Sequence, residues 1–243
     1  MTTALFLVAA VSALTVGLGK GGLGAAFAGV ITPILSIFMP VKEALALVLP
    51  FFIVGDWLAM RAYWKRWDTA QLKRLMPPGV VGVVIGTYLL VSLSTPTLRL
   101  LLGVITLVVA VYKIAEPYLR TMRYSYRNWH PYVAGTTAGI GSALASAGGP
   151  ALSGYLLLIR MEPMPFIATT VFFFTVTNLL RIPGLVLDGV FEWEKFKYTV
   201  WLMPLVFIGV EIGKRLIKII DRTAFERLMT GFLLIAGIIL IVQ

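Results

Sequence analysis

The chain contains no cysteine, a single histidine (His130) and few charges, 13% of its 243 residues. Without thiols there are no disulfides, iron–sulfur clusters or thiolate metal sites, and one imidazole cannot build a multi-histidine centre. No cofactor is expected. Ordinary soluble domains carry roughly 25% charged residues. A chain that is 59% hydrophobic, with a mean hydropathy of +0.91, lacks the polar surface that water requires. Acidic residues are scarcest: 11 against 21 Lys and Arg, a net charge of +10. In a soluble protein that balance suggests nucleic acid, but in a membrane protein Lys and Arg gather in cytoplasmic loops and at headgroup level. The lipid bilayer, not nucleic acid, is therefore the expected partner, and the cell membrane (the inner membrane in a Gram-negative bacterium) the expected location. The start, Met1-Thr-Thr-Ala-Leu-Phe-Leu7, lacks the positive segment of a secretory signal, so the first apolar run is expected to be retained.

A spanning helix needs about 20 mostly apolar residues. Eight apolar stretches nearly fill the chain: 4–39, 44–63, 77–93, 98–115, 132–159, 166–187, 196–213 and 225–242. The first and fifth are longer than the rest and broken by glycine. The first holds Gly17-Leu-Gly-Lys-Gly-Gly-Leu-Gly24 and Pro33; the fifth holds Gly135, Gly139, Gly141, Gly148, Gly149 and Pro150. Such clusters favour an unwound or re-entrant segment whose freed backbone is satisfied by protein or a cavity.

The chain also repeats itself. Leu75-Met76-Pro77 with Gly82 and Gly86 matches Leu202-Met203-Pro204 with Gly209 and Gly213 at an offset of 127 residues. Arg99, Leu100 and Gly103 match Arg227, Leu228 and Gly231 at an offset of 128. Ala46, Phe51, Phe52 and Asp56 line up with Ala168, Phe173, Phe174 and Asn178 at an offset of 122. The expected organisation is a first membrane repeat over residues 1–116, a basic linker over 117–131 and a second repeat over 132–243. Duplication of this kind marks transporter folds, with the substrate site at the repeat interface near the midplane.

Charge decides the orientation of the halves. If all eight stretches cross the bilayer, 11 Lys and Arg fall on the side of Arg61, Lys65, Arg66, Lys73 and Arg74, and 8 on the other. If the first and fifth are hairpins, the division becomes 15 to 4. The positive-inside bias therefore predicts an all-α polytopic membrane protein built of two inverted repeats. Each repeat has a glycine-broken re-entrant or long broken helix plus three transmembrane helices, and both chain ends lie outside.

These residues resemble the TauE/SafE sulfite exporter family of membrane permeases, also called the toluene sulfonate uptake permease family. The resemblance runs over essentially the whole chain. It is carried by Gly19-Lys20-Gly21-Gly22 followed by Pro33-Ile-Leu35, by Gly148-Gly149-Pro150-Ala-Leu152, and by the stretch from Ala168 to Arg181 that includes Asn178. It implies a secondary transporter of small anions such as sulfite, sulfonates and related organosulfur compounds.

The residues supply an anion site independently. A half-helix N-terminus offers N–H groups and a favourable dipole, with Gly21, Gly22, Gly148 and Gly149 allowing close approach. Lys20 adds a charge inside the first break, and Arg181 adds a planar fork suited to a sulfonate or carboxylate. Ionisable residues inside the membrane are functional candidates by default. Against this stand bland readings: Lys20 snorkels, or Arg181 bridges Asp56 or Asp188. Asp56 and Asn178 occupy equivalent places in the two repeats. Asp56 is the candidate for proton coupling, or else an ion-pair or hydrogen-bond partner. Asn178 cannot titrate but can hold an oxyanion. Glu211 is read as pairing with Lys214 and Arg215 at a helix end. The Gly-x-x-x-Gly spacings at Gly82/Gly86, Gly135/Gly139 and Gly209/Gly213 are read as internal packing more than as a dimer face, which leaves a homodimer open.

Two rivals are weighed. A passive anion channel fits the composition but fits inverted halves less well. An intramembrane hydrolase would need a base beside Ser142, and His130 precedes that serine by 12 residues. No enzyme is expected. The mechanism expected is alternating access, with Lys20, Asn178 and Arg181 holding the anion while one repeat rocks against the other.

Overall fold

The computed structural model describes residues 3–23, 25–119, 126–189, 193–216 and 222–242. They form α1 (Thr3–Leu18), a π turn (Gly19–Leu23), α2 (Ala25–Phe38), α3 (Val41–Ala62), α4 (Thr69–Ser92) and α5 (Thr95–Leu119). After the linker follow α6 (His130–Ala145), α7 (Gly149–Leu158), α8 (Pro163–Leu187), α9 (Trp193–Leu216) and α10 (Arg222–Val242), with no strand among the described residues. Of the linker, residues 120–125 lie outside the described ones. By length and composition α3, α4, α5 and α8 can each cross a membrane. Apolar side chains on the outer faces of α4, α5 and α10, among them Val84, Val108 and Ile235, are exposed, as lipid contact requires. This is an all-α polytopic membrane protein.

Helices run past the apolar stretches where capping chemistry permits. α4 starts well before Pro77 because the Asp68 carboxylate accepts the Gln71 N–H at 3.0 Å, satisfying an orphan donor of the first turn. Lys73 and Arg74 then fall in the first turns, at one end of the bundle.

Both glycine-rich stretches fold back on themselves. Ser146, at φ 53, closes α6 in the left-handed conformation, and its N–H donates to the Ser142 carbonyl at 3.0 Å. The next helix then returns along the first, so that Gly148 lies against the Ala138 carbonyl. The Tyr126 ring stacks 6.0 Å from that of His130, at the start of α6, and lies 6.3 Å from that of Tyr155, near the end of α7. The two limbs therefore begin and end at the same end of the bundle. With 10 residues, α7 is about 15 Å long, half of a hydrocarbon core of about 30 Å. In the first hairpin the fold-back puts Gly19 against Ala28. The expected unwinding there is replaced by a widened π turn, which keeps the helix while redirecting it.

Equivalent helices run in opposite directions. Lys42, at the start of α3, pairs with Asp188, just past the end of α8, at 3.0 Å. At the other end the Asp68 N–H, just past α3, donates to Thr169 of α8 at 3.0 Å. The repeats are thus inverted, with α3 and α8 antiparallel. Two seams tie the halves together, α4 against α6 and α1 against α9. A Cβ on Gly82 would strike the Thr136 carbonyl, and one on Gly209 would strike the Leu14 carbonyl. Gly139 likewise faces the Gly79 carbonyl and Gly17 the Val206 carbonyl. The second contact of each pair follows from the first by adding 127 to the α4 residue and subtracting 122 from the α6 residue, the same offsets as in the sequence. Gly82, Gly86, Gly135, Gly139, Gly209 and Gly213 all pack internally.

Gly82→Ala and Gly209→Ala should each destabilise the protein by about 1–3 kcal/mol through overpacking. Gly231→Ala, whose added methyl would meet nothing within 4 Å, should stabilise it by up to about 1 kcal/mol through helix propensity. Melting in detergent measures both signs.

Candidate anion site

The site is assembled where the two hairpin bends meet the middle of α3 and α8. On α8 the positions Phe174, Asn178, Arg181 and Leu185 recur at helical spacing and form one buried face. On α3, Phe52 and Asp56 do the same. The antiparallel packing of α3 on α8 brings Asp56 and Asn178, equivalent in the two repeats, into direct contact: Asn178 Nδ2 donates to Asp56 Oδ2 at 2.8 Å. The pseudo-two-fold relation between the halves thus passes close to this hydrogen bond.

Lys20 reaches the same carboxylate from the π turn and donates to Asp56 Oδ1. Gly55 makes room for it, because a Cβ there would lie 2.9 Å from Lys20 Cγ. The ammonium also stands 5.5 Å from the centroid of the Phe52 ring, a cation–π distance. Both oxygens of Asp56 are therefore engaged, and the carboxylate is fully buried. Lys20 does not snorkel to the interface.

Arg181 continues the network. Its Nη1 donates to Asn178 Oδ1 at 3.3 Å and to Ser146 Oγ at 3.5 Å. Both bonds are long and both acceptors neutral. The residue is 1% exposed, and its Nε and Nη2 have no hydrogen-bond partner. Neither carboxylate proposed as its bridge is available: Asp56 is held by Lys20 and Asn178, and Asp188 by Lys42 at 3.0 Å. No carboxylate is bonded to Arg181 among the described residues, and a buried guanidinium left in that way is costly.

Next to this network lies a cavity of about 580 Å³, counting its open part. Lys20, Ser142, Ser146, Gly149 and Asn178 give its wall polar groups, and Phe52 and Phe174 give it aromatic rings. Thr106 of α5 and Leu233 of α10 also line it. Ser142 stands at an offset of 122 from Lys20, as Phe174 does from Phe52. Two pairs of equivalent positions thus line the cavity, Lys20 with Ser142 and Phe52 with Phe174.

The family model described as Sulfite exporter TauE/SafE matches residues 9–240. The chain belongs to the TauE/SafE family. No curated protein and no solved structure matches the chain. Family membership makes it a membrane transporter of anions and points away from an enzyme. Ser142, the serine weighed as a nucleophile, lies on the same helix as His130, 12 residues along it, an axial separation of about 18 Å.

Of the residues singled out in this TauE/SafE chain by sequence, Lys20, Asn178 and Gly149 line the cavity. Asp56 and Arg181 adjoin it through Lys20, Asn178 and Ser146. Gly21 presses on Val210 of α9, and Gly148 on Ala138 of α6 and the Phe174 ring; both serve the close approach of helices. Gly22 lies in the π turn beside Gly21. Ser142, Ser146, Thr106, Phe52 and Phe174 complete the wall without having been named as site residues. The offset of 122 from Lys20 would have found Ser142. Glu211 pairs with Lys214 and Arg215, each at 3.5 Å, away from the site.

Proposed function

We propose that the protein is a secondary transporter of small sulfur oxyanions, with sulfite and simple sulfonates foremost. It would work in the cell membrane by alternating access around the cavity between the two hairpins. The observation that carries this reading is Arg181, a guanidinium buried behind the cavity wall whose Nε and Nη2 have no hydrogen-bond partner and to which no carboxylate is bonded among the described residues. An oxyanion supplies acceptors for the hydroxyls and the ammonium and a negative charge for the guanidinium. Ser142, Ser146, Lys20 and the first turn of α7 would hold its oxygens, and the Arg181 charge would stabilise it from one side chain behind.

In this reading Lys20 and Asp56 form an internal ion pair that the anion competes with, and Asp56 is the group through which coupling to protons runs. The moving bodies are not the two sequence repeats as blocks, because the glycine seams bind each hairpin to a helix of the opposite half. They are the first hairpin with α9 and the second hairpin with α4. The end carrying Arg61, Lys65, Arg66, Lys73 and Arg74 faces the cytoplasm, following the positive-inside bias.

The test is flux in proteoliposomes. An imposed proton gradient should drive sulfite above its equilibrium distribution, and collapsing that gradient should release the excess. Sulfite that only equilibrates under the same gradient would make the protein a channel instead.

A further inference from the structure

The charges around the cavity do not balance. Lys20 and Asp56 neutralise one another, and Arg181 is left over. The helices packed against α8 are α3, α4, α6 and α7. In their central turns they carry one charged side chain, Asp56, and Tyr155 of α7 is a neutral phenol donating to Gln71; their other charged or titratable groups, such as Lys42, Glu43, Arg61, Lys73, Arg74 and His130, sit toward the helix ends. No carboxylate is bonded to Arg181 among the described residues. With Asp56 ionised, as it is when paired with Lys20, the buried set of Lys20, Asp56 and Arg181 therefore carries one uncompensated positive charge when the cavity is empty.

We infer that the site is built for one negative charge. It takes monoanions, hydrogen sulfite or an alkylsulfonate, and discriminates against dianions of the same shape. This rests on the reading of the cavity as the anion site. A monoanion brings the buried set to neutrality. A dianion leaves one negative charge without a partner in a medium where desolvation is not repaid. The wall is suited to that division of labour: the hydroxyls of Ser142 and Ser146 can donate to an oxyanion without adding charge. Arg181, behind Ser146 and Asn178, acts through its field, which low dielectric strengthens. Asn178 stands where the second repeat would carry a carboxylate equivalent to Asp56. A carboxylate there would cancel Arg181 and leave nothing for an anion.

The consequence reaches pH. Raising pH converts hydrogen sulfite to the dianion and depletes the form that the site accepts, so sulfite affinity falls. An alkylsulfonate is a monoanion throughout, and its affinity stays level. The experiment is isothermal titration of the full-length protein in detergent with methanesulfonate, sulfate and sulfite, at one pH below and one above the titration of hydrogen sulfite. Methanesulfonate should bind at least tenfold more tightly than sulfate, its near-isostere, at both pH values, which is about 1.4 kcal/mol. Sulfite should weaken by up to about tenfold per pH unit on the alkaline side. Sulfate binding as tightly as methanesulfonate, or sulfite binding more tightly at higher pH, overturns the inference and leaves the anion site standing. If a protein that melts cooperatively binds none of the three, both fall together.

Discussion

Replacing Arg181 by Gln is expected to weaken anion binding and transport roughly 10- to 100-fold while raising the melting temperature of the empty protein. The two signs have one cause. In the empty protein the guanidinium is buried, makes two long bonds to neutral acceptors and leaves Nε and Nη2 unsatisfied. Each orphaned buried donor costs about 1–3 kcal/mol. Glutamine removes the charge and most of the unsatisfied donors, and can still offer an N–H toward Asn178 or Ser146. For a chain of this size each kcal/mol regained is about 2–4 °C. The anion loses its attraction to a positive charge one side chain behind the wall, about 2 kcal/mol for unit charges roughly 8 Å apart at an effective dielectric constant of about 20, from which the fold-loss follows. Arg181→Lys keeps the charge without the fork and should fall between the two. A drop in melting temperature for Arg181→Gln, in step with the loss of binding, would assign Arg181 to structure.

Asp56→Ala is expected to have the opposite character, with most of the folded protein lost. Its carboxylate is fully buried, accepts from Lys20 and Asn178 and is the one group that neutralises the ammonium. Removing it strands a buried charge, which costs about 3–5 kcal/mol, a large part of a typical stability of 5–15 kcal/mol. Removing both charges, as in Lys20→Met with Asp56→Leu, replaces the pair by apolar groups of similar size. Such replacements are often neutral or stabilising. The double variant should therefore melt well above Asp56→Ala and near the parent protein, and the difference read from a double-mutant cycle is the coupling between the two residues. A double variant as unstable as Asp56→Ala would mean that Asp56 stabilises through Asn178 alone.

Much of this site could be read from the sequence, since an ionisable or amide side chain in the middle of an apolar run has few uses. Lys20, Asp56, Asn178 and Arg181 announced themselves in that way. The duplication offsets then placed Asp56 opposite Asn178, and the structure joins the two by a hydrogen bond. What stayed hidden depends on where the chain turns. In the segment Ala145-Ser-Ala-Gly-Gly149 glycine is the natural choice for a left-handed cap, yet Ser146 takes φ 53 while Gly148 stays at φ −70. The reason lies in packing: Gly148 is needed bare against the Ala138 carbonyl. That leaves Ser146 at the bend, and there it accepts a bond from Arg181 and lines the cavity. Propensity alone gives the bend to the glycines and misses the hydroxyl. The choice between hairpins and full crossings was closer. In the sequence it turns only on where basic residues lie, and the ring contacts of Tyr126 with His130 and Tyr155 decide it for the second hairpin.

The glycine seams between α1 and α9 and between α4 and α6 also govern the order of assembly. When residues 1–116 have left the ribosome, α1 faces the bilayer with Gly17 and Gly21 bare, because the carbonyls of Val206 and Val210 that fill those notches have not yet been made. α4 waits in the same way for Gly135 and Gly139. The first half cannot finish folding during its own synthesis. Insertion of the first half precedes closure, and Asp56 gains the Asn178 hydrogen bond only when the second half arrives to clasp what was made first.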